Sequence, residues 1–235
     1  MATNAPSPTE LHAKLMAIYP ILIATYGERP LKPPRRSAMV ELIMTILSQR
    51  TTAANEKLAF ERLWAHYGSW EAIRDGDVDE ITRLIAPSNY AEAKAPHIKA
   101  TLKRIFDERG EANIDFLEAL PVEDGLSWLM SLPGVGMKTA SLVLLFNFAK
   151  PIMPVDTHVH RVSQRTGLIG PKVTAEKAHV RLLELLPHDP HVLFNFHVSC
   201  LRHGQKICTW ERPKCTECPI KHLCDYYHTV YAAGH

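Results

Sequence analysis

The sequence predicts an all-α fold. Apolar residues recur at three- and four-residue spacing through most of the chain. Ser, Thr or Asp precedes many of these runs, and Gly or Pro follows them. No pair of alternating segments reads as a strand hairpin, and no internal repeat is visible.

Taken in order, residues 1–8, rich in Pro, Ser, Ala and Asn, are expected to form a disordered tip. Helical spacing then covers Thr9 to Tyr26, Ser37 to Ser48, Thr52 to Tyr67, Ser69 to Arg74 and Asp77 to Ile85. It resumes over Ala91 to Arg109, Ile114 to Leu120 and Val122 to Ser131. Ser69 and Asp77 can cap helix N-termini through their side-chain oxygens, and Gly68 can stop a helix. A tight turn at Leu132–Gly136 joins the run Leu126, Leu129, Met130 to a second one, Leu142, Val143, Leu145, Phe146. Asp156 to Thr166, Thr174 to Leu186 and His191 to His203 continue the helical pattern. Pro33-Pro34 and the stretch Lys150-Pro151 to Pro154 mark the domain boundaries, giving 35–150 as one domain and 1–34 with 151–235 as the other.

A chain of 235 residues can bury one large or two modest cores. Its formal net charge of +2 is small, so any nucleic-acid footprint must come from local clustering. No apolar stretch long enough for a transmembrane helix is present.

The turn reads Leu132-Pro133-Gly134-Val135-Gly136-Met137-Lys138, and Asp156 follows the lysine by eighteen residues. Glycines permit positive φ and close backbone approach, and the first N–H groups of the next helix form an anion site suited to a phosphate. Lys138 stands beside that site. Each feature has an ordinary structural reading as well: a turn, a solvated lysine, and an N-cap aspartate before Thr157-His158. A lysine acts as a nucleophile only when neutral, and its reference pKa of about 10.4 leaves little neutral amine near pH 7. Partial burial and the positive end of a helix dipole both disfavour the ammonium, which suits a nucleophile in a helix's first turn. Asp156 could accept a proton or stabilise developing positive charge.

Four of the five cysteines, Cys208, Cys215, Cys218 and Cys224, form a C-x6-C-x2-C-x5-C array within seventeen residues. Such a set wants a metal. Disulfides are disfavoured because no secretory signal precedes them, which points to a reducing compartment. The one Cys-x-x-Cys pair is unlike the two-knuckle zinc pattern, but spacing leaves zinc open. Arg212 and Lys214 between the first two cysteines, with Lys206 and Lys221 beside the array, would present positive charge to phosphates. Cys200 lies on the apolar pattern Phe194, Phe196, Val198, Leu201 and is expected to be a core thiol. His158 and His160 point in different directions on a helix and are expected to cap, pack or meet phosphate rather than hold a metal.

These residues resemble the helix-hairpin-helix DNA glycosylases, and most of all their endonuclease III branch, over most of the chain. In that branch the hairpin reads L-P-G-V-G-x-K-T-A, matched by Leu132 to Ala140, and V-D-T-H-x-x-R-V follows, matched at Val155, Asp156, Thr157, His158, Arg161 and Val162. The resemblance implies a six-helix barrel domain ending in the hairpin, plus a helical iron–sulfur domain whose four cysteines hold a 4Fe–4S cluster. It implies that Lys138 is the Schiff-base lysine and Asp156 the catalytic aspartate, facing each other across a cleft that receives a flipped nucleotide. The implied activity is base-excision repair, by a glycosylase with AP lyase activity acting on oxidised pyrimidines. DNA contacts fall to Leu132, Gly134, Val135 and Gly136 in the hairpin, to Arg212 and Lys214, and to two loops. One loop contains Gln49 and Arg50, with Arg50 at the gap-filling position. The other carries Tyr90 as a wedge.

The partner implied is double-stranded DNA with damaged bases or abasic sites, bound by a monomer without a membrane. The setting expected is a bacterial-type cytoplasm, beside the nucleoid. Two departures concern substrate range: the branch commonly has Gly-Leu-Tyr where this chain has Asn89-Tyr90-Ala91, and Gln where it has Arg50. An adenine glycosylase is disfavoured, because Thr45 stands where that relative has Glu. A lyase acting mainly on abasic sites, a non-catalytic damaged-DNA-binding protein and a helical metalloprotein unrelated to DNA remain the alternatives.

Overall fold

The computed structural model of the protein describes residues 6–232. Among the described residues the secondary structure is helical throughout, with no strand. The eleven α-helices are α1 (Pro8–Tyr26), α2 (Ala38–Leu47), α3 (Ala53–Tyr67), α4 (Trp70–Asp75), α5 (Val78–Ile85), α6 (Ala91–Arg109), α7 (Val122–Met130), α8 (Met137–Phe148), α9 (Thr157–Arg165), α10 (Ala175–Leu185) and α11 (Pro190–Lys206). Among the described residues, no helix is long and apolar enough to cross a membrane.

Local chemistry explains most helix starts. Ser37, Thr52, Ser69, Asp77, Asp156, Thr174 and Asp189 each accept a backbone N–H in the first turn of the helix they precede. A cap of this kind stabilises by about 1 kcal/mol. Gly68 ends α3 at φ 70°, a left-handed conformation that costs glycine little.

Two expectations are corrected. Of the supposed disordered tip, residues 1–5 lie outside the described residues, but Ser7 closes a capping box with Glu10 and Pro8 begins α1. Ser7 Oγ accepts from Glu10 N (3.3 Å), and Glu10 Oε2 accepts from Ser7 N (2.7 Å), so two otherwise orphaned donors are satisfied. The expected helix over Ile114 to Leu120 is instead a single 3₁₀ turn, Asp115–Glu118. Pro121 follows directly, and the residue before a proline is driven out of the helical region.

The chain divides into two compact units, Pro34–Phe148 and Met1–Pro33 with Ala149–His235. In the first, α8 is apolar around its circumference and runs through the core, with Ala140, Leu142, Val143, Leu144, Leu145 and Phe148 buried. α2 packs on α8, and α7 packs on α8 too. α6 supports α2, α4 and α5. In the second unit α11 is central, with α1 and α9 packed on it and α10 beside both. Asn195 of α11 pins the segment after α1, accepting from Arg29 N (2.9 Å) and donating to Arg29 O (3.0 Å).

Candidate functional site

The hairpin between α7 and α8 is shaped by one glycine and several internal bonds. Gly134 has φ 75°, and a Cβ there would lie 2.9 Å from His97 Cβ and Nδ1. Leu132 N donates to Leu129 O and Val135 N to Leu132 O, each at 3.1 Å. Thr101 Oγ1 donates to Pro133 O (2.9 Å), and Gln49 Nε2 donates to Gly134 O (3.0 Å), so α6 and the α2–α3 loop both hold the turn. Gly136 is exposed, and a Cβ there meets nothing within 4 Å. The turn therefore offers an open backbone edge beside the first N–H groups of α8, which have no intrahelical acceptor.

Lys138 is the second residue of α8 and is half-buried. Its Nζ donates to Ser48 Oγ (3.3 Å), whose own hydroxyl donates to Thr45 O (2.8 Å). Ser48 thus aims the amine. A carboxylate group lies nearby: Arg36 bridges Glu41 (3.2 Å) and Glu56 (3.6 Å). Burial holds the Glu56 carboxyl above its usual range, an effect that Arg36 and Lys138 offset only in part and that Glu41 reinforces. Asp156 is half-buried at the N-cap of α9, where its Oδ1 accepts from Val159 N (2.7 Å). The other oxygen of that carboxylate is not used by this cap.

Arg50 and Tyr90 sit at the tips of two adjacent loops. Both are exposed, Tyr90 by 58%. The Arg50 guanidinium lies 5.5 Å from the Tyr90 ring centre, and Asn89 Nδ2 donates to Arg50 O (3.0 Å). A cation over a tyrosine face is held by the ring quadrupole, so the two tips act as one unit.

In the other unit, Cys208, Cys215, Cys218 and Cys224 line a single small pocket, together with Arg165, His203, Tyr226 and Tyr227. Burial pushes the Cys218 thiol up to about 11, and the neighbouring cysteines add to it. Cys215 and Cys224 are pushed up as well, for the same two reasons. Four sulfurs this close cannot all ionise unless a cation joins them, so the donor set fits a thiolate-ligated metal group. Among the described residues, however, no three His, Cys, Asp or Glu side chains converge tightly enough to hold one metal ion. Arg165, part of the pocket wall, also fixes the cysteine loop: Nη1 reaches Cys208 Sγ (3.3 Å) and Thr209 O (2.7 Å), and Nη2 reaches Trp210 O (2.8 Å). Arg161 Nε donates to Cys208 O (2.8 Å). Cys200 lies outside the pocket, 1% exposed in the core.

With this geometry in place, the chain can be compared with known proteins. The HhH-GPD superfamily base excision DNA repair profile matches residues 43–188. The chain belongs to this superfamily. It is 36% identical over 186 residues to endonuclease III of Thermotoga maritima, covering 79% of this chain and 82% of that one. It is 34% identical over 186 residues to endonuclease III of Rickettsia conorii, covering 79% and 83% respectively. The fold matches the solved structure of a non-covalent endonuclease III–DNA complex with a TM-score of 0.80, at 23% identity, over 94% of this chain and 98% of that one. These relatives place the chain in the endonuclease III branch of the HhH-GPD proteins.

Several HhH-GPD positions named from sequence have a different physical character in the fold. The side chains of Leu132 and Val135 are buried, at 2% and 6% exposure, and their N–H groups are spent within the turn. Gln49 is committed to Gly134 rather than reaching outward. Arg212 and Lys214 are exposed on the loop between the first two cysteines. His158 Nδ1 accepts from Arg161 Nη2 (3.0 Å) and His160 Nε2 donates to Val173 O (2.8 Å), so both histidines are packing partners.

Sequence reasoning missed Ser48, Lys94, Arg165 and the exposed Trp210. Lys94 did leave a signal, since a lysine interrupts the apolar face Ala91, Ala95, Ile98, Leu102 of α6. Arg165 left none, because its targets are backbone carbonyls more than forty residues away.

Proposed function

We propose that the protein is a base-excision-repair DNA glycosylase with AP lyase activity, acting on damaged bases and abasic sites in double-stranded DNA. The observation that carries this reading is Lys138, held by Ser48 in the first turn of the helix that follows an open glycine hairpin. In this reading the hairpin edge grips a phosphate, and the Lys138 amine attacks C1′ of an extruded nucleotide. The glycosidic bond breaks, with Asp156 stabilising the positive charge that develops on the sugar. The resulting imine acidifies C2′, and loss of a C2′ proton expels the 3′ phosphate by β-elimination. Arg50 and Tyr90 enter the gap left in the duplex. Oxidised pyrimidines are the proposed bases, following the endonuclease III relatives.

We propose that Cys208, Cys215, Cys218 and Cys224 hold a 4Fe–4S cluster. Four thiols lining one pocket, in the C-x6-C-x2-C-x5-C spacing of the endonuclease III cluster loop rather than the two-knuckle zinc pattern, support this reading. The cluster would organise a loop too short to form a core of its own and so present Arg212 and Lys214 to phosphates. Protein purified without oxygen should be yellow-brown and contain iron and sulfide; stoichiometric zinc without iron refutes this assignment.

Borohydride trapping tests the chemistry, because it reduces an imine to a stable amine. Wild-type protein should form a covalent adduct with abasic duplex, and Lys138→Ala should form none. Wild-type protein that binds abasic duplex yet gives no adduct would sink the lyase reading.

A further inference from the structure

Lys94 stands apart from the hairpin and the cysteine pocket, and its ammonium is held by several oxygen acceptors. It lies on α6 and is only 3% exposed, among the buried Ala91, Ala95 and Ile98. Its ammonium donates to Leu47 O (2.8 Å), Gln49 O (2.7 Å), Ser88 O (2.5 Å) and Ser88 Oγ (3.0 Å). Leu47 ends α2, so its carbonyl belongs to the negative end of that helix, and Gln49 lies in the turn that follows it. The other two belong to the turn before Tyr90. A buried charge is tolerated only when its donors are used, and here all three N–H groups have oxygen acceptors.

The segments joined by Lys94 are those that bear the two exposed tips. Arg50, Asn89 and Tyr90 have φ of 53°, 53° and 52°. Such conformations are unfavourable for residues other than glycine and persist when surrounding structure imposes them. Above the tether, Asn89 bonds to Arg50 O and the Arg50 guanidinium meets the Tyr90 ring. Below it, Gln49 bonds to Gly134 O and ties the same loop to the hairpin. Both loops are therefore fastened at the base by one buried cation and at the tip by Asn89 and the Arg50–Tyr90 contact.

We propose that Lys94 is a positioning residue for nucleotide extrusion, holding the Leu47–Thr51 and Ser88–Tyr90 segments together as one preformed clamp that enters the duplex. This rests on the glycosylase and lyase reading above. Lys94 does not touch the reacting atoms. Its loss acts on the step that removes a nucleotide from the stack and leaves the imine chemistry of an already unstacked sugar intact.

The test compares wild-type protein with Lys94→Met, which keeps the length and loses the donors, and with Lys94→Arg and Asn89→Ala. Single-turnover borohydride trapping is measured on an abasic site in duplex DNA and on the same site in single-stranded DNA. Hydrogen exchange of the free proteins is followed over residues 47–51 and 88–91. For Lys94→Met the duplex rate should fall roughly 10- to 100-fold, as expected for losing hydrogen bonds to a charged group, with a change under about 3-fold on the single strand. Exchange should accelerate in both segments together, and Lys94→Arg should recover part of the duplex rate. Asn89→Ala, an exposed change that leaves the core intact, should shift the duplex-to-single-strand ratio in the same direction by a smaller factor. Equal losses on both substrates, or exchange that quickens in one segment without the other, overturns the proposal. If Lys94→Met does not fold, an unchanged ratio in Asn89→Ala overturns it. If wild-type protein traps neither substrate, the lyase reading fails, and the exchange measurement alone decides whether Lys94 couples the two segments.

Discussion

Gly134 and Gly136 differ by two positions and should fail in different ways when given a methyl group. Gly134→Ala meets two penalties. At φ 75° an L-residue is strained by roughly 1–2 kcal/mol. The new Cβ would also stand 2.9 Å from His97 Cβ and Nδ1, nearer than such atoms approach, and relieving that overlap costs about 1–3 kcal/mol. The sum is on the order of 2–5 kcal/mol, or a Tm lowered by roughly 10 °C in a chain of this size. Gly136→Ala meets neither penalty, since nothing lies within 4 Å of its Cβ and its φ is not positive. It should melt within about 2 °C of wild type, because an exposed change away from special backbone geometry usually costs under 0.5 kcal/mol.

DNA binding separates them again. The methyl of Gly136→Ala would stand on the open edge proposed to grip a phosphate, so affinity for abasic duplex should fall while stability holds. Thermal melting monitored by circular dichroism, and fluorescence anisotropy with labelled duplex at fixed salt, supply the two readouts. His97→Ala in the Gly134→Ala background should restore only the part of the overlap loss that comes from the imidazole ring, since alanine keeps the Cβ at 2.9 Å, and should leave the φ share; His97 is itself exposed. A Gly136→Ala protein that binds as tightly as wild type refutes the hairpin as the DNA grip. A Gly134→Ala protein that melts normally refutes the geometric argument for Gly134.

Asp156 should separate by substituent: Asn keeps an oxygen for the Val159 N–H and should preserve stability while slowing base release, whereas Ala should also lose about 1 kcal/mol of capping, measured by urea unfolding. His179 is buried, with its ring donating from Nδ1 to Met153 O (2.8 Å), and burial holds its pKa near 4 instead of 6.5. Below pH 6.5 the unfolded chain takes up a proton that the folded chain refuses, so stability should fall as pH drops to about 4, by on the order of 3 kcal/mol. Unfolding free energies of His179→Gln should be flatter over that window, and parallel curves for the two proteins would contradict this. Cys218→Ala should lose iron on purification, while Cys200→Ala, altered in the core outside the pocket, should keep wild-type iron content and lose only some thermal stability.

Helix positions were legible in the sequence because their causes are local. A cap oxygen reaches an N–H two or three residues on, and an apolar stripe repeats within each turn, so Ser69, Asp77 and Gly68 could be placed from their neighbours. The same locality explains the misreadings. Ser7 was passed over inside a Pro- and Ser-rich tip although Glu10 completes its capping box, and Pro121 cut short the expected helix over Ile114 to Leu120. The glycine hairpin, the lysine after it, the aspartate eighteen residues on and the cysteine array were likewise visible as motifs, and through them the family.

What the sequence by itself determined is the helical class, the helix limits to within a few residues and the chemical types available, since these depend on propensity and spacing within a few residues. Only the tertiary structure decided which groups each motif meets: Ser48 against Lys138, Gln49 against Gly134, four thiols around one pocket, and the Lys94 ammonium beneath Arg50 and Tyr90. Those partners lie up to ninety residues apart, and packing alone brings them within reach. A hydrogen bond requires an approach of about 3 Å, which no local preference can encode.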